Sequence, residues 1–202
     1  MITLRILQEK QIEHDQKYHR DIFFLNYQDR FKHMVMHYGK YSGRFAYLIK
    51  THSDSSLINN DVRRTLVDCF IIVLSVADLL QLKLDEKIKE KLGIEREISV
   101  NELSTSLREA SPDLFAFLDG DDDMSKLLNL LLEFTTIAGN MLKIGEDLDH
   151  MVGFERNSIR DKTLDLLSIL LLSGIVWNVN YEQEIPNRWD ELAKRTASYG
   201  PQ

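Results

Sequence analysis

Two apolar stretches, each carrying an aspartate at the same place, constrain this chain more than any other feature. "VRRTLVDCFIIVLS" (62–75) and "IRDKTLDLLSILLL" (159–172) are too long and too continuous for strands in a chain with only 9 Gly and 3 Pro to break them. Apolar residues at helical spacing dominate the flanking segments as well. Phe24, Tyr27, Phe31, Met34, Tyr38, Tyr41, Phe45 and Leu48 mark one helix over about 21–52, and "SKLLNLLLEFTTIAGNMLKIGEDLDHMV" marks another from Ser125. The expected fold class is therefore all-α.

Set over one another, the two stretches align Arg63 with Arg160 and Asp68 with Asp165. That alignment is suggestive of an imperfect duplication, 21–84 against 125–182, within a single domain over 1–202. The polar segment 85–124 is expected to connect the halves through short helices, one opening at a capping box of Ser99 and Glu102. The first 20 or so residues have few apolar positions and are expected to form a peripheral helix. "EIPNRWDELAKRTAS" is expected to form the last helix, capped at Asn187 just past Pro186.

An aspartate within an apolar helix is costly to bury unless it is paired, hydrogen-bonded or metal-bound. For Asp68 the simple expectation is an ion pair with a nearby arginine such as Arg64. For the second half more acids are involved. Glu146 and Asp149 are three apart, Asp161 and Asp165 four apart, and these are spacings of neighbours on one helix face. "GFERNS" between them has the composition of a turn. Two carboxylate pairs facing each other across a helical hairpin would suit Mg2+ or Mn2+, which prefer oxygen ligands and are commonly held together with substrate phosphates. Solvated helix faces are the alternative.

"EDLD" and, less closely, "DKTLD" resemble the two acidic motifs of the MazG-like all-α nucleoside triphosphate pyrophosphatases. The second motif departs from the family pattern, because Lys162 stands where an acid is usual. The resemblance implies a metal-dependent hydrolase that converts a nucleoside triphosphate to the monophosphate and pyrophosphate. Glu146, Asp149, Asp161 and Asp165 would hold magnesium or manganese, and Glu146, Asp149, Asp165 or Glu133 would position water. Lys143 and Arg160 would neutralise phosphate, while Asn187 and Arg188 would reach the nucleotide. Relatives form dimers or tetramers through these helices, so a homodimer is expected. In the first half Arg44, Tyr47 and Thr65 replace acids, which favours the rival reading of a non-catalytic dimerisation or regulatory scaffold.

Charge and cysteine content narrow the setting. A net charge of −7 speaks against a general nucleic-acid surface. One cysteine, Cys69, allows no internal disulfide and fits a reducing cytoplasm. The N-terminus lacks the apolar core of a signal peptide, and the apolar run 166–179 is shorter than the roughly 20 residues that span a bilayer. No membrane partner is expected. His33 and His37 are expected on a helix surface or near a substrate cleft, and His14 and His19 are expected to be exposed. "DGDDD" lacks the rest of a calcium loop and is expected to be a solvated loop.

Overall fold

The computed structural model of the protein describes residues 1–51, 55–150 and 156–197. The side chains at 55–58, 149, 156 and 197 lie outside that description. Among the described residues there are ten helices and no strand, so the chain is all-α. In order they are α1 (Leu4–Tyr18), α2 (Arg20–Phe23), α3 (Tyr27–Thr51), α4 (Ser55–Leu79), α5 (Leu84–Leu92), α6 (Val100–Ala110), α7 (Pro112–Asp119), α8 (Asp123–Asp149), α9 (Arg156–Val176) and α10 (Tyr181–Ala197).

The four long helices form the centre. α3 packs on α4 and α8, and α9 packs on α4 and α8, giving a four-helix arrangement with each helix beside two others. Phe31, Tyr38 and Phe45 recur at the same helical face of α3 and are fully buried. The Phe134 ring of α8 meets Tyr38 at 6.1 Å and Phe45 at 5.5 Å, both edge to face, a favoured arrangement of aromatic quadrupoles. α1 lies on α4, α6 on α9, and α10 spans α4 and α6.

The connector behaves as its sequence directs. Ser99 Oγ accepts from Glu102 N–H at 3.2 Å and Glu102 Oε2 accepts from Ser99 N–H at 2.9 Å, which completes the capping box at the start of α6. The loop before α8 ends in an Asp122 cap that accepts from Ser125 N–H at 2.8 Å. α8 therefore starts slightly before Ser125.

Two helices differ from expectation, one in its burial and one in its start. α1 is no peripheral helix: Leu4 and Leu7 are fully buried, with Gln11, His14 and Asp15 buried beyond them. Its buried face is partly polar, so apolar spacing understated it. α10 begins at Tyr181, and Pro186 lies inside it. Pro186 is the sixth residue of α10, past the four donors that lack intrahelical partners, so the helix forgoes one backbone bond, to Glu182 O. Glu184 Oε1 accepts from Asn180 N–H at 3.1 Å and fixes that first turn.

α4 and α9 end in the same way. Gln81 and Asn178 adopt left-handed backbone (φ 51 and 52). Leu82 N–H reaches back to Ala77 O at 2.8 Å, and Val179 N–H to Gly174 O at 2.7 Å. Each is a Schellman-type stop. The register that pairs Asp68 with Asp165 also pairs Gln81 with Asn178. After each stop the next helix leaves at about a right angle, 101° for α4–α5 and 105° for α9–α10.

α8 is long and apolar enough to cross a membrane by length and composition, with mean hydropathy 1.2 in its best window and 33% of that window buried. The bent pairs α4–α5 and α9–α10 meet that criterion only when each pair is taken as one span.

Candidate functional site

α3 carries His33, His37, Lys40, Tyr41 and Arg44 on one face, since these positions return to the same side at each helical turn. That face lines a cleft of about 400 Å3. α1 contributes Gln11, His14 and Asp15 to the opposite wall, with His19 just beyond its end. α4 supplies Asp68 and Ser75 as the floor, and α10 closes one side with Arg188 and Arg195.

Asp68 organises the basic end. Its side chain is 8% exposed. Arg188 grips it with Nε on Oδ1 at 2.7 Å and Nη2 on Oδ2 at 3.4 Å. Arg44 Nη1 adds a contact to Oδ2 at 3.0 Å. The expected partner, Arg64, pairs instead with Glu191 at 3.3 Å. Arg188 also meets Glu191 through Nη1 at 2.7 Å, so each of its guanidinium nitrogens already has a carboxylate partner.

Lys40 stands differently. Its Nζ donates to His37 Nδ1 at 2.7 Å and lies over the Tyr41 ring at 4.4 Å. Among the described residues it forms no ion pair. Burial, then Arg44 beside it, lowers its pKa from the usual lysine value. An ammonium can only donate, so His37 Nδ1 is the acceptor and Nε2 carries the ring proton toward His33 Nε2, 3.2 Å away. Burial, then Lys40 and His33, holds His37 down to about 4. His33 is lowered as well, mainly by burial. Both imidazoles are thus neutral at neutral pH, with the lone pair of His37 taken by Lys40 and that of His33 by His37.

The α1 wall was not expected. His14 and Asp15 are buried and His19 is half-buried, whereas His14 and His19 were expected to be exposed. Burial lowers the His14 pKa and raises that of Asp15. Their positions follow from α1 docking its polar face on α4, a tertiary event that local pattern does not announce.

The residues expected from the acidic motifs stand elsewhere. Glu146 is exposed and pairs with Lys143 at 3.0 Å; Lys143 also meets Asp147 at 2.9 Å. Asp165 pairs with Lys162 at 3.0 Å, and Asp161 is exposed. The Asp149 side chain and Gly153, Phe154 and Glu155 of the expected turn lie outside the described residues. Among the described residues, Glu146, Asp161 and Asp165 form no group of three donors close enough to share a cation. Glu133 is half-buried on α8. Arg160 Nη2 donates to Leu80 O at 3.0 Å and so satisfies a carbonyl at the end of α4. Asn187 lines a neighbouring depression with Arg63 and Glu184, whereas Arg188 reaches the cleft itself. Cys69 is fully buried.

Comparison with family models, with curated proteins and with solved structures finds no match to this chain.

Proposed function

We propose that the cleft between α1, α3, α4 and α10 binds a phosphate-bearing nucleotide, and that the protein hydrolyses nucleoside triphosphates to monophosphates and pyrophosphate with Mg2+ or Mn2+. Lys40 is the observation that carries the binding half. A half-buried ammonium beside Arg44, with no carboxylate of its own, gains most from an anion in a cleft of the volume small ligands occupy. His33 and His37 line the same space as neutral imidazoles. The hydrolytic half rests on the acidic motifs, none of whose residues lines the cleft, so the two halves are tested separately.

Nucleoside mono-, di- and triphosphates are titrated with each metal, reading binding by calorimetry and pyrophosphate by a coupled assay. Lys40→Met should weaken binding by about tenfold or more, the worth of one hydrogen bond to a charged group. Asp165→Asn should abolish pyrophosphate release without weakening binding of the nucleotide base and sugar. If no nucleotide binds, both halves fail. Binding without release in the unmodified protein leaves a nucleotide-binding protein.

One observation favours the scaffold reading. Leu132 is 53% exposed and Leu128 45% exposed on α8. With Gly43 and Ala46 of α3, Leu132 lines a shallow, mainly apolar groove. Such a face is what a homodimer through these helices would cover.

A further inference from the structure

His14, Asp15 and His19 each offer one ligand atom at the α1 wall, and these atoms lie within 4.8 Å of one another. We propose that these three side chains bind one first-row divalent transition metal ion, zinc by preference, at a site open to the cleft. Two imidazoles and one carboxylate form the donor set, and imidazole selects zinc and its neighbours over magnesium. Zinc–ligand bonds of about 2.0–2.2 Å place donors up to roughly 4 Å apart, so a small side-chain rotation closes the site.

The hydrogen bonds around the three residues leave the right atoms available. His14 Nε2 lies 3.2 Å from Trp189 O, which can only accept, so Nε2 carries the proton. The lone pair is then on Nδ1, which is buried and has no partner. The residue is only 7% exposed, and an unsatisfied buried acceptor is costly. A metal-bound histidine commonly donates its other ring N–H to a backbone carbonyl in this way.

Asp15 is held as a ligating carboxylate would be. Gln11 Nε2 donates to Oδ1 at 2.8 Å and Ser75 Oγ to Oδ2 at 2.7 Å, leaving each oxygen a further lone pair. Gln11 is itself fixed by Trp189 Nε1–H on Oε1 at 2.6 Å. Trp189 of α10 therefore orients both His14 and Asp15. His19 caps the end of α1, where its non-helical backbone (φ −129, ψ 45) leaves its ring 5.4 Å from that of His14. Three protein ligands leave coordination positions toward the cleft, as in zinc sites that bind water or substrate. The site does not depend on which anion the cleft takes.

Chelator-treated full-length protein is titrated with ZnCl2 and, for its visible spectrum, with CoCl2. One zinc per chain should bind and raise the melting temperature, because the folded state alone presents the ligands, and MgCl2 should not substitute. His19→Ala and Asp15→Asn should each weaken zinc binding by more than the roughly 10–100-fold that loss of an outer-shell partner costs. His19 is half-buried, so its variant stays folded even if changes at Asp15 do not. The His33→Ala/His37→Ala variant should keep the zinc. Absence of binding to the unmodified protein overturns the proposal. So does binding that survives His19→Ala and disappears with His33 and His37.

Discussion

Asp68 and Asp165 hold corresponding places in the two apolar stretches, yet their surroundings are opposite. Asp68 is buried under two arginines, whereas Asp165 is 40% exposed beside Lys162. Asp68→Ala strands Arg188, whose side chain is 13% exposed. Its expected cost is at the low end of the roughly 3–5 kcal/mol for breaking a buried pair, since Arg44 is half in water and Glu191 still holds Arg188. Asp165→Asn should change stability by less than about 1 kcal/mol, as for exposed pairs. Denaturant melts of the two variants decide the matter, and equal losses would refute the contrast. His37 gives a pH signature. Its folded pKa is about 4, below the ordinary 6.5, because burial, Lys40, His33 and His19 disfavour its charge and only Asp68 favours it. Between those values the unfolded chain binds more protons, so stability is full above pH 6.5 and falls as pH drops toward 4. His37→Gln should flatten that slope in melts run across this window.

At the scale of elements, Gly174 in the last turn of α9 sets how closely α10 approaches α9. A Cβ on Gly174 would run into Cε2 of Tyr181. That ring cannot yield: it is 1% exposed, lies tilted against Phe70 with centroids 4.5 Å apart, and its hydroxyl donates to Leu170 O at 2.6 Å. Gly174→Ala should therefore cost about 1–3 kcal/mol by overpacking, despite alanine's better helix propensity. Gly139 of α8 has open space around it, so Gly139→Ala should stabilise by up to about 1 kcal/mol. Opposite signs in thermal melts are the expected result. The long helices and the Ser99–Glu102 cap were legible because period and capping chemistry are local. The start of α10 was not, since a proline near a helix start reads as a boundary. The cleft was legible only in part. His33, His37, Lys40 and Arg44 share helical spacing that a search for basic faces could find. The His14–Asp15–His19 group depends on Trp189 and Ser75, far away in sequence, and no local pattern joins them.

For the whole molecule, the outer face of α3 and α8 raises the question of what covers it. Leu128, Leu132 and Tyr47 are exposed on long helices whose inner faces already fill the core. Apolar side chains scattered singly need no partner, but Leu132 adjoins a groove floored by Gly43 and Ala46, where another helix can approach closely. A second copy presenting the same face would bury both grooves at once, as a two-fold interface requires. The protein is accordingly expected to run as a dimer in light scattering at micromolar concentration. Leu132→Glu should shift it to monomer, because a carboxylate there would lose its water without gaining a partner. The four-helix centre is untouched by that substitution, so the helical signal and the melting temperature should persist. A monomer before substitution would show that the face stays open or meets a different surface. α8 is also apolar enough for a bilayer, so sedimentation with lipid vesicles would then identify that surface.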